Sequence, residues 1–312
     1  MLRLKTIVLG TALSAAMATT ALAADPESCK AVRFSDVGWT DITATTATAS
    51  VVLTALGYEP TTQVLSVPVT YASLKSGDID VFLGNWMPTM EADIAPYRED
   101  KSVETLVTNL EGAKYTLAVP KHTYEAGLKD FADIAKFKDK LGNKIYGIEA
   151  GNDGNRLIQG MIDEDKFGLK GFELVESSEA GMLSAVSKAA AGKEDVVFLG
   201  WEPHPMNANI EMSYLSGGDD VFGPNFGGAT VATNVRAGYA TQCPNVGKLL
   251  TQMVFSLKME NEIMGAILND GKAPEDAAKA WLKANPDAMT PWLAGVTTLD
   301  GKDGAEAVKA AL

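Results

Sequence analysis

Three of the chain's five tryptophans occupy the same kind of position. Trp39 and Trp201 each directly follow a glycine, and Trp86 follows Gly84 by two residues. All three come just past a short run that reads as a β-strand, where a core residue would normally lie within the strand. Tyr115 opens another such run, Lys114–Val119. Aromatic faces brought together can hold a cation that has no N–H to donate, because the ring quadrupole attracts positive charge without a hydrogen bond. A quaternary ammonium is such a cation. At about 0.5–2 kcal/mol per face, four rings supply about 2–8 kcal/mol, against roughly 8 kcal/mol for micromolar binding. On position alone, ordinary packing of these rings stays open as the alternative.

The elements that must position them read as alternating strands and helices, which implies an α/β architecture with largely parallel sheets. Strands are expected at Ala31–Phe34, Gln63–Val67, Asp80–Leu83, Lys144–Ile148 and Val196–Leu199. Helices are expected from the Thr- and Ala-rich run ending at Gly57, at Tyr71–Ser76, from about Arg156, and at Glu179–Ala191. The stretches Asp80-Val-Phe-Leu-Gly-Asn-Trp-Met-Pro88 and Asp195-Val-Val-Phe-Leu-Gly-Trp-Glu-Pro203 echo one another. Each sets a Gly and a Trp at the carboxyl end of a strand, the edge where open α/β sheets bind ligands. Two such halves facing each other place Trp86 and Trp201 on opposite walls of one cleft.

The first residues specify export. Arg3 and Lys5 precede a small-residue apolar stretch, and Ala21-Leu22-Ala23 supplies a cleavage pattern. Residues 1–23 are therefore expected to be a signal peptide. Their removal takes two of the 27 basic residues and leaves 25 against 40 acidic, a net charge of −15. That excludes nucleic-acid binding through phosphate contacts and suits a cationic ligand, although acidity that only maintains solubility is equally consistent. The mature length allows two lobes with separate cores. Cys29 and Cys243 are the only cysteines, and in an oxidising compartment such a pair reads most simply as a disulfide. It would close a loop of over 200 residues, worth about 4–5 kcal/mol in the chain-entropy model, and tie both ends of the mature chain to one lobe.

Four stretches carry a resemblance: Phe34-Ser-Asp-Val-Gly-Trp-Thr-Asp41, Val81-Phe-Leu-Gly-Asn-Trp-Met-Pro88, Gly147-Ile-Glu-Ala-Gly-Asn-Asp-Gly154 and Phe198-Leu-Gly-Trp-Glu-Pro-His-Pro205. Over essentially the whole mature chain the sequence resembles the glycine betaine/choline class of periplasmic substrate-binding proteins, and within it the choline-binding branch. The resemblance implies a two-lobed, type II-like α/β fold with two sheets joined by a hinge and the ligand cleft between them. Lobe 1 would hold 24–112 and 210–312, and lobe 2 would hold 113–209. It implies that Trp39, Trp86, Tyr115 and Trp201 box the trimethylammonium group and that Asp41 and Asn152 serve the hydroxyl end. It also matches the Cys29–Cys243 disulfide. A periplasmic monomer is expected, handing choline or acetylcholine to the membrane permease of an ABC importer without metal or cofactor. Glycine betaine or proline betaine is the alternative ligand.

Asp41 separates these ligands on physical grounds. A carboxylate can accept from choline's hydroxyl and attract its cation, but it opposes a betaine's own carboxylate. Backbone N–H groups of the Gly151–Asn155 loop could receive a betaine instead. Asp41 reads equally well as an N-cap of the helix it opens, Asn152 as a turn residue and Asp153 as an N-cap. His122 and His204 lack metal-ligand spacing and read as structural or exposed, Gly217–Asp220 reads as a turn, Trp281 and Trp292 as helix packing, and Glu202 as a solvated rim. A hydrolase acting on choline esters is the rival class, but no nucleophile elbow, ordered triad or phosphate loop supports it.

Overall fold

A computed structural model of the protein describes residues 25–312; the expected signal peptide lies outside the described residues. Nine strands run in chain order as β1 (Ala31–Asp36), β2 (Glu59–Val64), β3 (Val81–Met87), β4 (Val103–Pro120), β5 (Lys144–Tyr146), β6 (Glu173–Val175), β7 (Phe198–Glu202), β8 (Met212–Tyr214) and β9 (Gly228–Arg236). Two sets share one plan. In the first, β2, β1 and β3 are parallel and β9 runs antiparallel beside β3. In the second, β6, β5 and β7 are parallel and β4 runs antiparallel beside β7. The inner strands β3 and β7 are almost wholly buried, as expected of short apolar strands covered on both faces. Glu59–Val64 lies at the sheet edge, carries Pro60 and is mostly exposed.

The two sets are hydrogen-bonded into a single path, β2-β1-β3-β9-β4-β7-β5-β6, rather than standing as separate sheets. The cause is the 18-residue strand β4. Its first part pairs with β9, from Val103↔Arg236 to Lys114↔Gly228, and its last part with β7, from Lys114↔Glu202 to Ala118↔Phe198. Three register shifts along the β4–β9 pair bend and twist it, so the path curls instead of lying flat. Beyond residue 210 the chain stays for a time beside the second set. Strand β8 still pairs with the end of β4, the Ser216 amide donates to the carbonyl of Lys129, and Phe222 packs on Phe131 with centroids 5.9 Å apart. The chain regains the first set only at Gly228. Close approach forces a glycine at Gly227, where φ is +71° and a Cβ would lie 2.2 Å from the carbonyl oxygen of Tyr115.

The helix Thr40–Ala55 is buried almost all round, which is why its Thr/Ala sequence shows no polar stripe. It packs under the helices Leu257–Leu268 and Pro274–Ala284. Trp292 is buried against Phe255, and Trp281 donates its indole N–H to Glu262, both in the helix-packing role expected of them. Cys29 and Cys243 form the disulfide, with Cα atoms 5.7 Å apart across 214 positions. It fastens the segment before β1 to the start of the helix Pro244–Gln252.

Candidate ligand-binding site

The site grows out of the sheet's middle. Tyr115 on β4 lies directly opposite Trp201 on β7, so their side chains emerge on the same face. Their ring centroids are 6.4 Å apart and nearly perpendicular. Trp86, near the end of β3, stands 5.9 Å from Tyr115 on its other side. Trp86 and Trp201 are thus late strand residues, one turn of the pleat earlier than the loop positions expected. Trp39 reaches in from the position preceding the helix Thr40–Ala55. These four rings, with Asp41 and Ile148, line one small, tightly closed cavity. Each ring is only 3–5% exposed, so the walls are closed over it.

Asp41 is the second residue of its helix and does not cap it. One carboxylate oxygen accepts from the indole N–H of Trp86 at 3.0 Å, while Oδ1 has no partner. Burial, then the nearby Glu179 carboxylate, pushes its pKa up to about 8, with the Trp86 bond opposing. A buried carboxyl oxygen without a partner is costly unless something answers it. No basic side chain lines the cavity. The arrangement can therefore receive a cation on its π-faces and a hydroxyl donor on Asp41.

Asn152 does not line the cavity. It caps the helix Asp153–Asp163, its Oδ1 accepting from the Asn155 amide and from the Tyr115 hydroxyl, each at 3.0 Å. Burial keeps the Tyr115 phenol well above its ordinary range, hence protonated and able to donate. A Cβ on Gly154 would lie 2.1 Å from that hydroxyl, so only glycine lets the ring seat against the helix end. Asn152 holds the Tyr115 ring that lines the cavity. Its neighbour Asp153 is fully buried rather than capping, with Oδ2 unpartnered.

Two polar residues, Glu149 and Glu179, were not legible as part of the site, and His204, read as structural or exposed, joins them. Glu149 accepts from the Trp39 indole N–H at 2.7 Å, and Glu179 accepts from the amide and hydroxyl of Thr40 at 2.8 and 2.5 Å. His204 is buried, its ring 4.9 Å from that of Trp201 and its Nε2 3.2 Å from Glu179. Glu149 and His204 fall inside stretches already singled out; nothing in the sequence marks Glu179. Glu202 is half-buried outside the cavity, and His122 sits on the far side beside Asp195.

Two matched α/β halves closed over a small aromatic chamber have the architecture of a solute-binding protein. The chain belongs to the family described as the substrate binding domain of the ABC-type glycine betaine transport system, whose model matches residues 30–284. It is similar to a solved ABC-transporter choline binding protein in complex with choline, at 71% identity and a TM-score of 0.91 over 92% of this chain and 99% of that one. Against the unliganded semi-closed conformation, also 71% identical, the TM-score is 0.84 over 91% and 99%. It is also similar to the glycine betaine/carnitine transport binding protein GbuC of Listeria monocytogenes, 31% identical over 165 residues, 53% of this chain and 54% of that protein. The chain is thus an exported substrate-binding protein that serves an ABC transporter's permease.

Proposed function

We propose that this protein captures choline in the periplasm, as a monomer released from its signal peptide after about Ala23, and delivers it to the importer. The observation that carries the reading is Asp41: a buried carboxylate with one unpartnered oxygen, in a chamber walled by four aromatic rings and free of basic side chains. Trp39, Trp86, Tyr115 and Trp201 face the trimethylammonium group, and Asp41 accepts a hydrogen bond from the hydroxyl and balances the charge. Asn152 acts behind them, by fixing Tyr115. The lobes are 24–112 with the chain from about 223 onward, and 113 to about 222, hinged where β4 and the Gly223–Gly228 segment cross. Closure shifts to the ligand-bound form by differential affinity.

Glycine betaine is the second reading, favoured by the family's description and by GbuC. Two features speak against it. Its carboxylate would meet Asp41 with no cation between them. The helix end that could receive it is already partly engaged, since the Asn155 amide donates to Asn152 Oδ1, which also accepts from the Tyr115 hydroxyl. Calorimetric titration of the mature protein with choline, acetylcholine, glycine betaine and proline betaine tests the assignment. Micromolar or tighter choline with much weaker betaines is expected; betaine binding as tight as choline overturns it.

A further inference from the structure

The helix Thr40–Ala55 begins without a cap of its own. Its N-cap residue is Trp39, whose side chain makes no capping bond. The first amides of a helix have no intrahelical acceptor and carry the positive end of its dipole, so an uncapped buried start is unstable. Here the missing acceptor comes from the other half of the molecule. Glu179, the first residue of the helix Glu179–Gly192, receives the Thr40 amide on Oε2 and the Thr40 hydroxyl on Oε1. Glu179 is 5% exposed and is itself held, its Oε1 lying 3.2 Å from His204 Nε2. The Met206 amide donates to His204 Nδ1 at 2.9 Å, which leaves the proton on Nε2 to face Glu179. The same histidine ring packs on Trp201, a wall of the chamber.

We propose that Glu179 is a helix cap supplied across the cleft, a positioning residue that is engaged only when the lobes close. It touches no part of the cavity, yet it fastens the helix carrying Asp41, and the Trp39 ring preceding it, against the opposite wall. Glu149 on Trp39 stands beside it as a second fastening one residue away. His204 holds Glu179 in register with Trp201, so the clasp and the aromatic wall move as one unit. The inference deepens the choline reading and rests on it for the identity of the ligand. Its content is that part of the affinity is generated outside the ligand's contacts, by completing a helix terminus.

The test compares the mature wild-type protein with Glu179→Gln, Thr40→Val and the double variant. Glutamine keeps the shape but loses the charge and one of the two acceptors. Choline binding is expected to weaken about 10- to 100-fold in Glu179→Gln, mainly through faster release. The melting temperature of the ligand-free protein should stay unchanged, because the open form does not use the contact. Thr40→Val should show a smaller loss, Thr40→Ser should restore wild-type release, and the double variant should add little to Glu179→Gln. Unchanged release in Glu179→Gln, or a fall in ligand-free stability with affinity intact, overturns the proposal. If wild-type protein binds none of the four ligands, the ligand assignment fails. The cap is then read in protein held shut by an engineered disulfide between the two lobes, from amide hydrogen exchange at Thr40, which Glu179→Gln should accelerate; equal exchange overturns it.

Discussion

Two helix starts face each other across the cleft, and they are finished in opposite ways. The helix Asp153–Asp163 is completed locally: Asn152 caps it and spends its remaining acceptor capacity on Tyr115. The helix Thr40–Ala55 carries Asp41 with one oxygen unanswered and takes its cap from Glu179 in the other half. The first start is self-sufficient and holds a ring in place before any ligand arrives. The second takes its acceptor from the other half and leaves Asp41 Oδ1 without a partner, which on the proposal above is answered when a ligand binds and the halves close. Preformed support on one wall and conditional support on the other is what a clamp needs in order to close on its ligand and reopen.

The largest test of that contrast is Asp41→Ala, which removes the unanswered group. Choline affinity should fall at least about 100-fold by calorimetry, the scale of a lost hydrogen bond plus a charge partner. A loss under about fivefold would move the specificity elsewhere. Closure without ligand should depend on pH, with a sign fixed by burial. In the closed cleft Asp41 is raised from 3.8 to about 8 and Asp153 to about 7, burial being the main cause for each. A closed, empty form therefore binds more protons than an open one in the window between 3.8 and about 8. Its population should fall as pH rises through that window, by up to about tenfold per pH unit and site. Energy transfer between labels on the two lobes reads this, and Asp41→Asn should flatten the upper part of the profile.

Asn152→Ala attacks the self-sufficient side. It should cost about 1 kcal/mol in stability by denaturant unfolding, the usual value of a lost cap, while choline affinity drops only severalfold; Asn152→Asp should recover most of the stability. A 100-fold affinity loss with stability intact would instead make Asn152 a direct ligand contact. The smallest effect belongs to Tyr115→Phe, which keeps the π-face and deletes the hydroxyl bonded to Asn152. A loss of about two- to fivefold is expected from titration.

Much of this was legible in local sequence. The Gly–Trp echo at the ends of β3 and β7 foretold two matched halves, and four aromatics named in advance line one chamber with Asp41. The expected strand at Asp80–Leu83 was cut short because the glycine at Gly84 reads as a stop. It is instead a tight packing point, where a Cβ would meet Ile42 at 2.5 Å. Asn152 could not be told from a direct contact, since a cap and a ligand contact use the same side chain and differ only in where it turns.

The sequence by itself determined the α/β alternation, the cysteine pair and the aromatic set, because each is written in residue type and short spacing. Only the tertiary structure decided that β4 joins both halves into one sheet, that β8 and Phe222 stay beside the second set and that Glu179 reaches Thr40 across 139 positions. Those depend on register and on which faces meet when the halves close, and pairings between distant residues leave no periodicity in the chain that makes them.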